Sequence, residues 1–483
     1  MKRNKCLSGK LVIDGIMGLK SPLLIGCGED ANTDIDVIKD KNGMPFIPAT
    51  SLVGVLKQRC GEEFAYIFGG YENKQDGNEN SNTTPSLLSC SDLVLLTEGN
   101  VVEARDGVKI NHKTGIAEDK GKFDYEVVAA GSKFKLKIEI DLFSDLEDDI
   151  SAEKIKEVGG TILNILKNGI RIGAKTNSGL GRAVLEEGRI FLLDFNKKED
   201  VEAWLTGDGL KERKDEPSLI GGHNIDVNEN CFVINISLDI KNSLIIRSYS
   251  SEPDDPDVTH LKSGGKYVIS GTSIKGALRA RAERIIKTIA DNNGISSEKI
   301  KAYISVLFGN SYEDKKVKID IPSRVIVEEV NLDDICSEIQ SRIKIDRFTG
   351  GVMNTALFDS MPVFPLGKDS SIKNFTIAVK KATDMDKGLI LLLLKDLWTG
   401  NLAIGGEKNI GRGVFTGKGA AIKNLFKKEN PDDSRGEIKF FNISNISEDD
   451  KKKMQNFVEK LNEMPEDELE ECERRINEYK DNN

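Results

Sequence analysis

Two acid-rich loops hold the residues of this chain best suited to chemistry. Residues 26–36, Gly-Cys-Gly-Glu-Asp-Ala-Asn-Thr-Asp-Ile-Asp, put four carboxylates (Glu29, Asp30, Asp34, Asp36) in one glycine-containing loop. Carboxylates at that density can hold Mg²⁺ or orient a nucleophile. A second loop, Ser250-Ser251-Glu252-Pro253-Asp254-Asp255-Pro256-Asp257-Val258, is also acid-rich. Acidic surface loops are common, so neither is a catalytic assignment by itself. A glycine loop, Gly173-Ala174-Lys175-Thr176-Asn177-Ser178-Gly179-Leu180-Gly181-Arg182, offers backbone N–H groups free of side-chain cover beside Lys175 and Arg182, which suits a phosphate chain. It lacks the Walker spacing, and it follows a helix and precedes a strand, the reverse of the Rossmann and P-loop arrangements. A tight turn between helix and strand is the plainer reading, and only recurrence of the loop favours phosphate contact. Bases also gather on two helices that Thr-Ser pairs are expected to cap: Lys57 on one, and Lys275, Arg279, Arg281 and Arg284 on the other. Helix N-termini favour anions. A solvated face competes evenly for the first helix, and a polyanion surface is favoured for the second.

The elements that position these groups occur twice. Residues 43–57 align without a gap with 265–279; Val108 to Gly115 aligns with Ile343 to Gly350, each followed by Phe-Asp (Phe123-Asp124 and Phe358-Asp359); and Ile172 to Gly181 aligns with Ile404 to Gly413. Three colinear matches point to two tandem copies of one domain. Each copy begins with an apolar β-rich stretch, 10–25 and 232–246, followed by a loop and a helix, 52–67 and 274–289. An alternating segment (133–142, 374–379), an amphipathic helix (151–166, 384–397), the glycine loop and a short closing strand (182–185, 413–415) complete it. The order β-α-β-β-α-β with a long insertion predicts an α+β fold, a ferredoxin-like (RRM-like) sheet with helices on one face. The expected divisions are a first domain at 1–190, a linker at 191–229, a second domain at 230–422 and an acidic, partly helical extension at 423–483. A helix-like piece is expected near 199–205, a mobile loop at 71–84, and one or two surface helices beyond Ser447.

Composition narrows the classes. With 483 residues, 38% apolar and 31% charged, the chain reads as globular, in two or three domains. No apolar run approaches the roughly 18 residues a membrane span needs, the longest ending at Lys395. The basic N-terminus leads into Lys10 rather than an apolar segment, so a cytoplasmic protein with no membrane partner is expected. Seven scattered cysteines and three distant histidines make reduced thiols the default and a Cys/His zinc site unfavoured. The net charge of −10 runs against a nucleic-acid binder, but from Asn424 onward 17 acids face 11 bases, so six of the ten excess charges lie there. The body is nearly balanced and can carry basic patches.

Gly43-x-Pro-x-Ile-Pro-x-Thr-Ser-Leu-x-Gly54, Ile110-Asn-His-Lys-Thr-Gly115, Asp346-Arg347-x-Thr349-Gly350 and both glycine loops together resemble the RAMP-superfamily backbone subunits of type III CRISPR effector complexes, over about residues 8–420 and in a form with two fused backbone domains. The resemblance implies a palm-shaped ferredoxin-like domain that holds a CRISPR RNA guide, and a thumb-like β-hairpin, built around 109–127 and 344–364, that interrupts guide–target pairing. It implies RNA contacts at Ser51, Lys57, His112, Lys113, Lys175, Asn177, Arg182, Ser273, Lys275, Arg279, Arg347, Lys408, Asn409 and Arg412. Family members that cut target RNA use an Asp in the loop before the helix together with a divalent ion, Mg²⁺ or Mn²⁺. Alignment with the family's Asp-x-Pro-Val pattern selects Asp34, with Asp36 in the usual proline's place and as a second metal ligand; in copy two Asp257 is chosen ahead of Asp255 and Asp254. The implied partners are the guide, a complementary target RNA and the other subunits of the effector complex. Two functions share these features: a metal-dependent endoribonuclease subunit and a structural scaffold without nuclease activity. A phosphate-binding metabolic enzyme is a third, for which no motif is present.

Overall fold

The computed structural model describes residues 6–27, 33–71, 83–111, 114–144, 152–207, 209–210, 213, 231–249, 255–314, 317–367, 371–424, 437–440 and 445–481. The chain forms two compact units, one of residues 1–105, 123–176 and 180–229, the other of 106–122, 177–179 and 230–483. Both mix helices with antiparallel sheet.

In the first copy of the repeat the central strand β1 (Leu7–Leu19) is followed by α1 (Ala49–Cys60), a hairpin of β2 (Val102–Ile110) and β3 (Ala117–Val128) whose outer part, 106–122, is counted with the second unit, then β4 (Lys133–Phe143), α2 (Ala152–Asn168) and β5 (Arg182–Asp194). β1 lies between β4 and β5, antiparallel to both. β4 shows why it is a strand: Lys-Phe-Lys-Leu-Lys-Ile-Glu-Ile-Asp-Leu-Phe buries every second side chain, from Phe134 to Leu142. That face packs on Ile155, Val158, Ile162 and Leu166 of α2. On the other face Val12, Phe191 and Leu193 meet Trp204 of a helix at Lys198–Thr206. β5 therefore runs well past the expected closing strand, and the expected linker begins inside it.

The second unit repeats the plan with β6 (Cys231–Ile240), β7 (Val258–His260), α3 (Gly271–Asn293), α4 (Ser297–Phe308), the hairpin β8 (Gln340–Ile345) and β9 (Val352–Met361), β10 (Ser371–Lys380), α5 (Asp384–Trp398) and β11 (Phe415–Lys423). β6 lies between β10 and β11, as β1 does between β4 and β5. Two tail helices, α6 (Glu448–Glu463) and α7 (Glu466–Asp481), are amphipathic, and Phe457, Leu461, Leu469, Cys472 and Ile476 join the second unit's core. The expected 71–84 loop lies almost wholly outside the described residues. Among those described, no helix is long and apolar enough to cross a membrane.

The expected Thr-Ser caps are corrected. Thr50-Ser51 and Thr272-Ser273 sit inside the first turn, because the helices begin at Ala49 and Gly271, three residues earlier than expected. Pro48 precedes α1 and has no donor of its own, and the free Ala49 N–H is taken by Asp92 Oδ1 at 2.8 Å. Ser270 caps α3 by accepting the Ser273 N–H.

Candidate nucleic-acid interface

Asp34 is exposed at the end of the first acid loop and is bound to the hairpin. Its N–H donates to Asp124 Oδ1 at 3.1 Å, and its Oδ2 accepts the Asp124 N–H at 3.0 Å. The next residues continue along β3: the Glu126 N–H donates to the Ile35 carbonyl at 2.9 Å, and Lys39 pairs with Glu126 at 2.8 Å. The second unit builds the same corner. β7 runs parallel to β9 with Val258 opposite Ser360, and Asp257 Oδ2 accepts the Asp359 N–H at 2.9 Å. Of the second loop's acids, Asp257 therefore stands where Asp34 stands; Asp255 lies two residues back and Asp254 outside the described residues. Asp36 differs from Asp34. It is 3% exposed, and its Oδ1 accepts the Thr33 N–H at 3.1 Å and the Thr33 hydroxyl at 2.6 Å, closing the loop.

The predicted bases are largely engaged within their own units. Lys57 Nζ donates to the Gly69 carbonyl at 3.0 Å, and Arg279, at the equivalent position, donates through Nη1 to the Gly309 carbonyl at 2.7 Å. Both tie the helix to a Phe-Gly turn whose glycine has a positive φ. Arg279 also pairs with Glu283 at 3.1 Å, and Arg281 with Asp396 at 2.7 Å, so the expected polyanion surface on α3 loses two of its cations. Lys275 is half-buried, and burial, reinforced by Arg279 and Lys380, pulls its ammonium down to about 7. Ser51 and Ser273 are half-buried in first helical turns.

The glycine loops are two copies of one backbone. Residues Gly173, Lys175, Gly179 and Gly181, and their counterparts Gly405, Glu407, Gly411 and Gly413, all have positive φ. The glycines are required by close approach: a Cβ on Gly181 or Gly413 would lie 1.9 Å from the carbonyl oxygen of Ile172 or Ile404. The expectation of open N–H groups is corrected, since the Ala174 and Gly181 amides donate to the carbonyls of Leu24 and Pro22, both at 2.7 Å, and those of Gly406 and Gly413 to Ile245 and Ser243 at 2.8 Å. The left-handed residue instead reaches the hairpin. Lys175 lies over Tyr125 at 3.5 Å and Phe123 at 4.6 Å from the ring centroids, and burial lowers it to about 8. Glu407 binds Arg342 of β8 at 2.7 Å, Arg412 at 3.0 Å and Arg247 at 3.5 Å. Arg412 is 3% exposed, with Gln340 Oε1 at 2.6 Å from its Nη2. Asn177 lies in the short turn Thr176–Ser178, Arg182 begins β5, and Lys408 and Asn409 are exposed.

Both hairpins close on one turn design. The Asn111 carbonyl accepts the Gly115 N–H at 2.8 Å, and the Asp346 carbonyl accepts the Gly350 N–H at 2.9 Å. The Asp346 carboxylate also accepts the Phe348 and Thr349 N–H groups, which hold it below the usual carboxylate range. Arg347 is exposed at this tip and Phe348 is 99% exposed, between strands carrying exposed Ile343, Ile345, Val352 and Leu357. His112 and Lys113 lie outside the described residues. The hairpins thus present apolar and aromatic surface of the kind that stacks on bases.

Sequence reasoning used Asp124 and Asp359 only as alignment landmarks and passed over Arg247, Arg342 and Glu407; the recurrence of Phe-Asp after each hairpin turn was the available signal. No curated protein matches the chain. The profile of the RAMP superfamily matches residues 19–184 and 204–416, one region in each copy of the repeat. The chain belongs to the RAMP superfamily, a family of CRISPR-associated RNA-binding proteins, and carries two of its domains.

Proposed function

We propose that this protein is a CRISPR RNA-binding backbone subunit of a type III antiviral effector complex, built of two ferredoxin-like palms with thumb hairpins, and that it cleaves guide-paired target RNA with the help of a divalent cation. The observation that carries the reading is the repeated corner: in each unit one acid-loop aspartate, Asp34 or Asp257, is bound to the second thumb strand. A scaffold needs the hairpins but has no use for a carboxylate fixed at the same place twice.

In this reading Phe348 and its apolar neighbours splay nucleotides from the guide–target duplex at the second unit's corner, letting a 2′-hydroxyl swing into line with its own phosphate beside Asp257. At the first unit's corner Asp34 receives the 2′-hydroxyl proton as that oxygen bonds to phosphorus and the P–O5′ bond breaks, leaving a 2′,3′-cyclic phosphate and a 5′-oxygen that takes a proton from water; Asp34 Oδ1 has no partner among the described residues, whereas Oδ2 is held by the Asp124 amide. Asp34 fits an oxygen-seeking cation, but Asp36, buried and closed on Thr33, does not fit as its companion. A bound Mg²⁺ or Mn²⁺ supplies Lewis-acid neutralisation of the charge that develops on the phosphate. The test is incubation of guide-complementary RNA with the reconstituted complex in Mg²⁺ and in chelator. Discrete cuts in Mg²⁺ alone are expected, and intact target under both conditions favours the scaffold reading.

A further inference from the structure

We propose that Asp124 is a positioning residue for Asp34: it fastens the acid loop to the second thumb strand, so that thumb and carboxylate act at one register on the RNA. The inference rests on the cleavage reading above. Asp124 and Asp34 are 90 residues apart, yet each accepts the other's backbone N–H, at 3.1 and 3.0 Å. The exposed Asp34 and half-buried Asp124 carboxylates repel one another, and this geometry offsets the repulsion by giving one oxygen of each an amide donor. It also fixes the carboxylate plane of Asp34, leaving Oδ1 to face the RNA.

Asp124 acts here through an oxygen acceptor, not through charge. Asparagine at this position keeps a carbonyl oxygen for the Asp34 amide, and alanine keeps none; both leave the position 124 amide on Asp34 Oδ2. The second unit supplies an internal comparison. There Asp257 is held by the Asp359 N–H at 2.9 Å, while Asp359 Oδ1 is buried with no hydrogen-bond partner among the described residues. Among the described residues no bond runs from the Asp359 side chain to the Asp257 amide, and alanine at 359 leaves the bond from its own amide to Asp257 in place.

The experiment measures single-turnover cleavage of guide-complementary RNA by the reconstituted complex in Mg²⁺, for wild type, Asp34→Asn, Asp124→Ala, Asp124→Asn and Asp359→Ala. Hydrogen exchange of segment 33–37 is followed in the same samples. Asp124→Ala is expected to slow the Asp34-dependent cut by about 10- to 100-fold at unchanged guide binding, the scale of a misplacement near 1 Å. Asp124→Asn stays within about threefold of wild type, and Asp359→Ala leaves the Asp257-dependent cut unchanged. Exchange at Asp34 rises in Asp124→Ala and not in Asp124→Asn. Full activity of Asp124→Ala with unchanged exchange overturns the inference, as does Asp124→Asn being as slow as Asp124→Ala, which would make the charge essential. If Asp34→Asn cuts normally, the cleavage reading fails; the exchange comparison still decides whether Asp124 holds the loop.

Discussion

Glu407 supports a sharp prediction about Arg412. The side chain of Glu407 is 6% exposed and is shared by three guanidinium groups, those of Arg342, Arg412 and Arg247. Glu407→Gln removes the carboxylate that these three guanidinium groups share and leaves three cations together. Arg247 and Arg342, with 44% and 35% of their side chains exposed, can swing into water. Arg412 cannot: it is almost wholly buried, burial already lowers its pKa, and its Nη1 has no hydrogen-bond partner among the described residues. Removing one partner of a buried pair costs about 3–5 kcal/mol, and relief of two arginines sets the expectation at the lower end, about 3 kcal/mol. The chain has two tryptophans, Trp204 in the first unit and Trp398 on α5, so urea denaturation of a Trp204→Phe background, followed by fluorescence, reports the second unit. Adding Arg412→Met to Glu407→Gln should recover most of the loss, since it removes the stranded cation. A loss below about 1 kcal/mol for Glu407→Gln, or no recovery in the double variant, would refute the view that Glu407 exists to hold Arg412 inside the unit.

Two further outcomes follow from burial. His260 is 1% exposed; its Nε2 donates to the Val268 carbonyl at 2.9 Å, its Nδ1 accepts the Ile246 N–H at 3.2 Å, and burial lowers its pKa from 6.5 to about 4. Because the unfolded state takes up the proton first, stability should fall as pH drops from 6.5 toward 4, by about 2 kcal/mol at pH 5, and His260→Gln should remove that component from denaturation curves at pH 7 and pH 5. Lys175, lowered from 10.5 to about 8, carries a dependence of the same sign at higher pH: stability rises as pH climbs from 8 to 10.5, and Lys175→Met should abolish this rise in thermal unfolding while leaving stability at pH 7 equal or higher.

Much of the scaffold was legible because local pattern and burial agree. The alternation in β4 and the apolar spacing of α2 and α5 mark those elements, and the repeated glycines mark a backbone that tolerates no Cβ at Gly181 or Gly413. The helix caps were misplaced because Thr-Ser pairs suit either a cap or a first turn: the first amide of α1 goes to Asp92, 43 residues from Ala49, and α3 is capped by Ser270. The tail reads as surface helices from its charge, while Phe457, Leu461, Met464, Leu469, Cys472 and Ile476 decide that it docks. The acid loops were visible as composition, but which acid meets the hairpin depends on pairing across 90 and 102 residues. The basic residues misled most: Lys57, Arg279 and Arg412 resemble an RNA surface in sequence, yet each has a carbonyl or carboxylate partner in its own unit.

The most direct measurement of the central claim is product mapping on guide-complementary RNA with reconstituted complexes carrying Asp34→Ala, Asp257→Ala or both, with guide binding measured alongside. The account predicts that each single substitution removes its own cut and the pair removes both, at unchanged guide binding. Survival of every cut in the double variant would contradict it and leave the chain a scaffold.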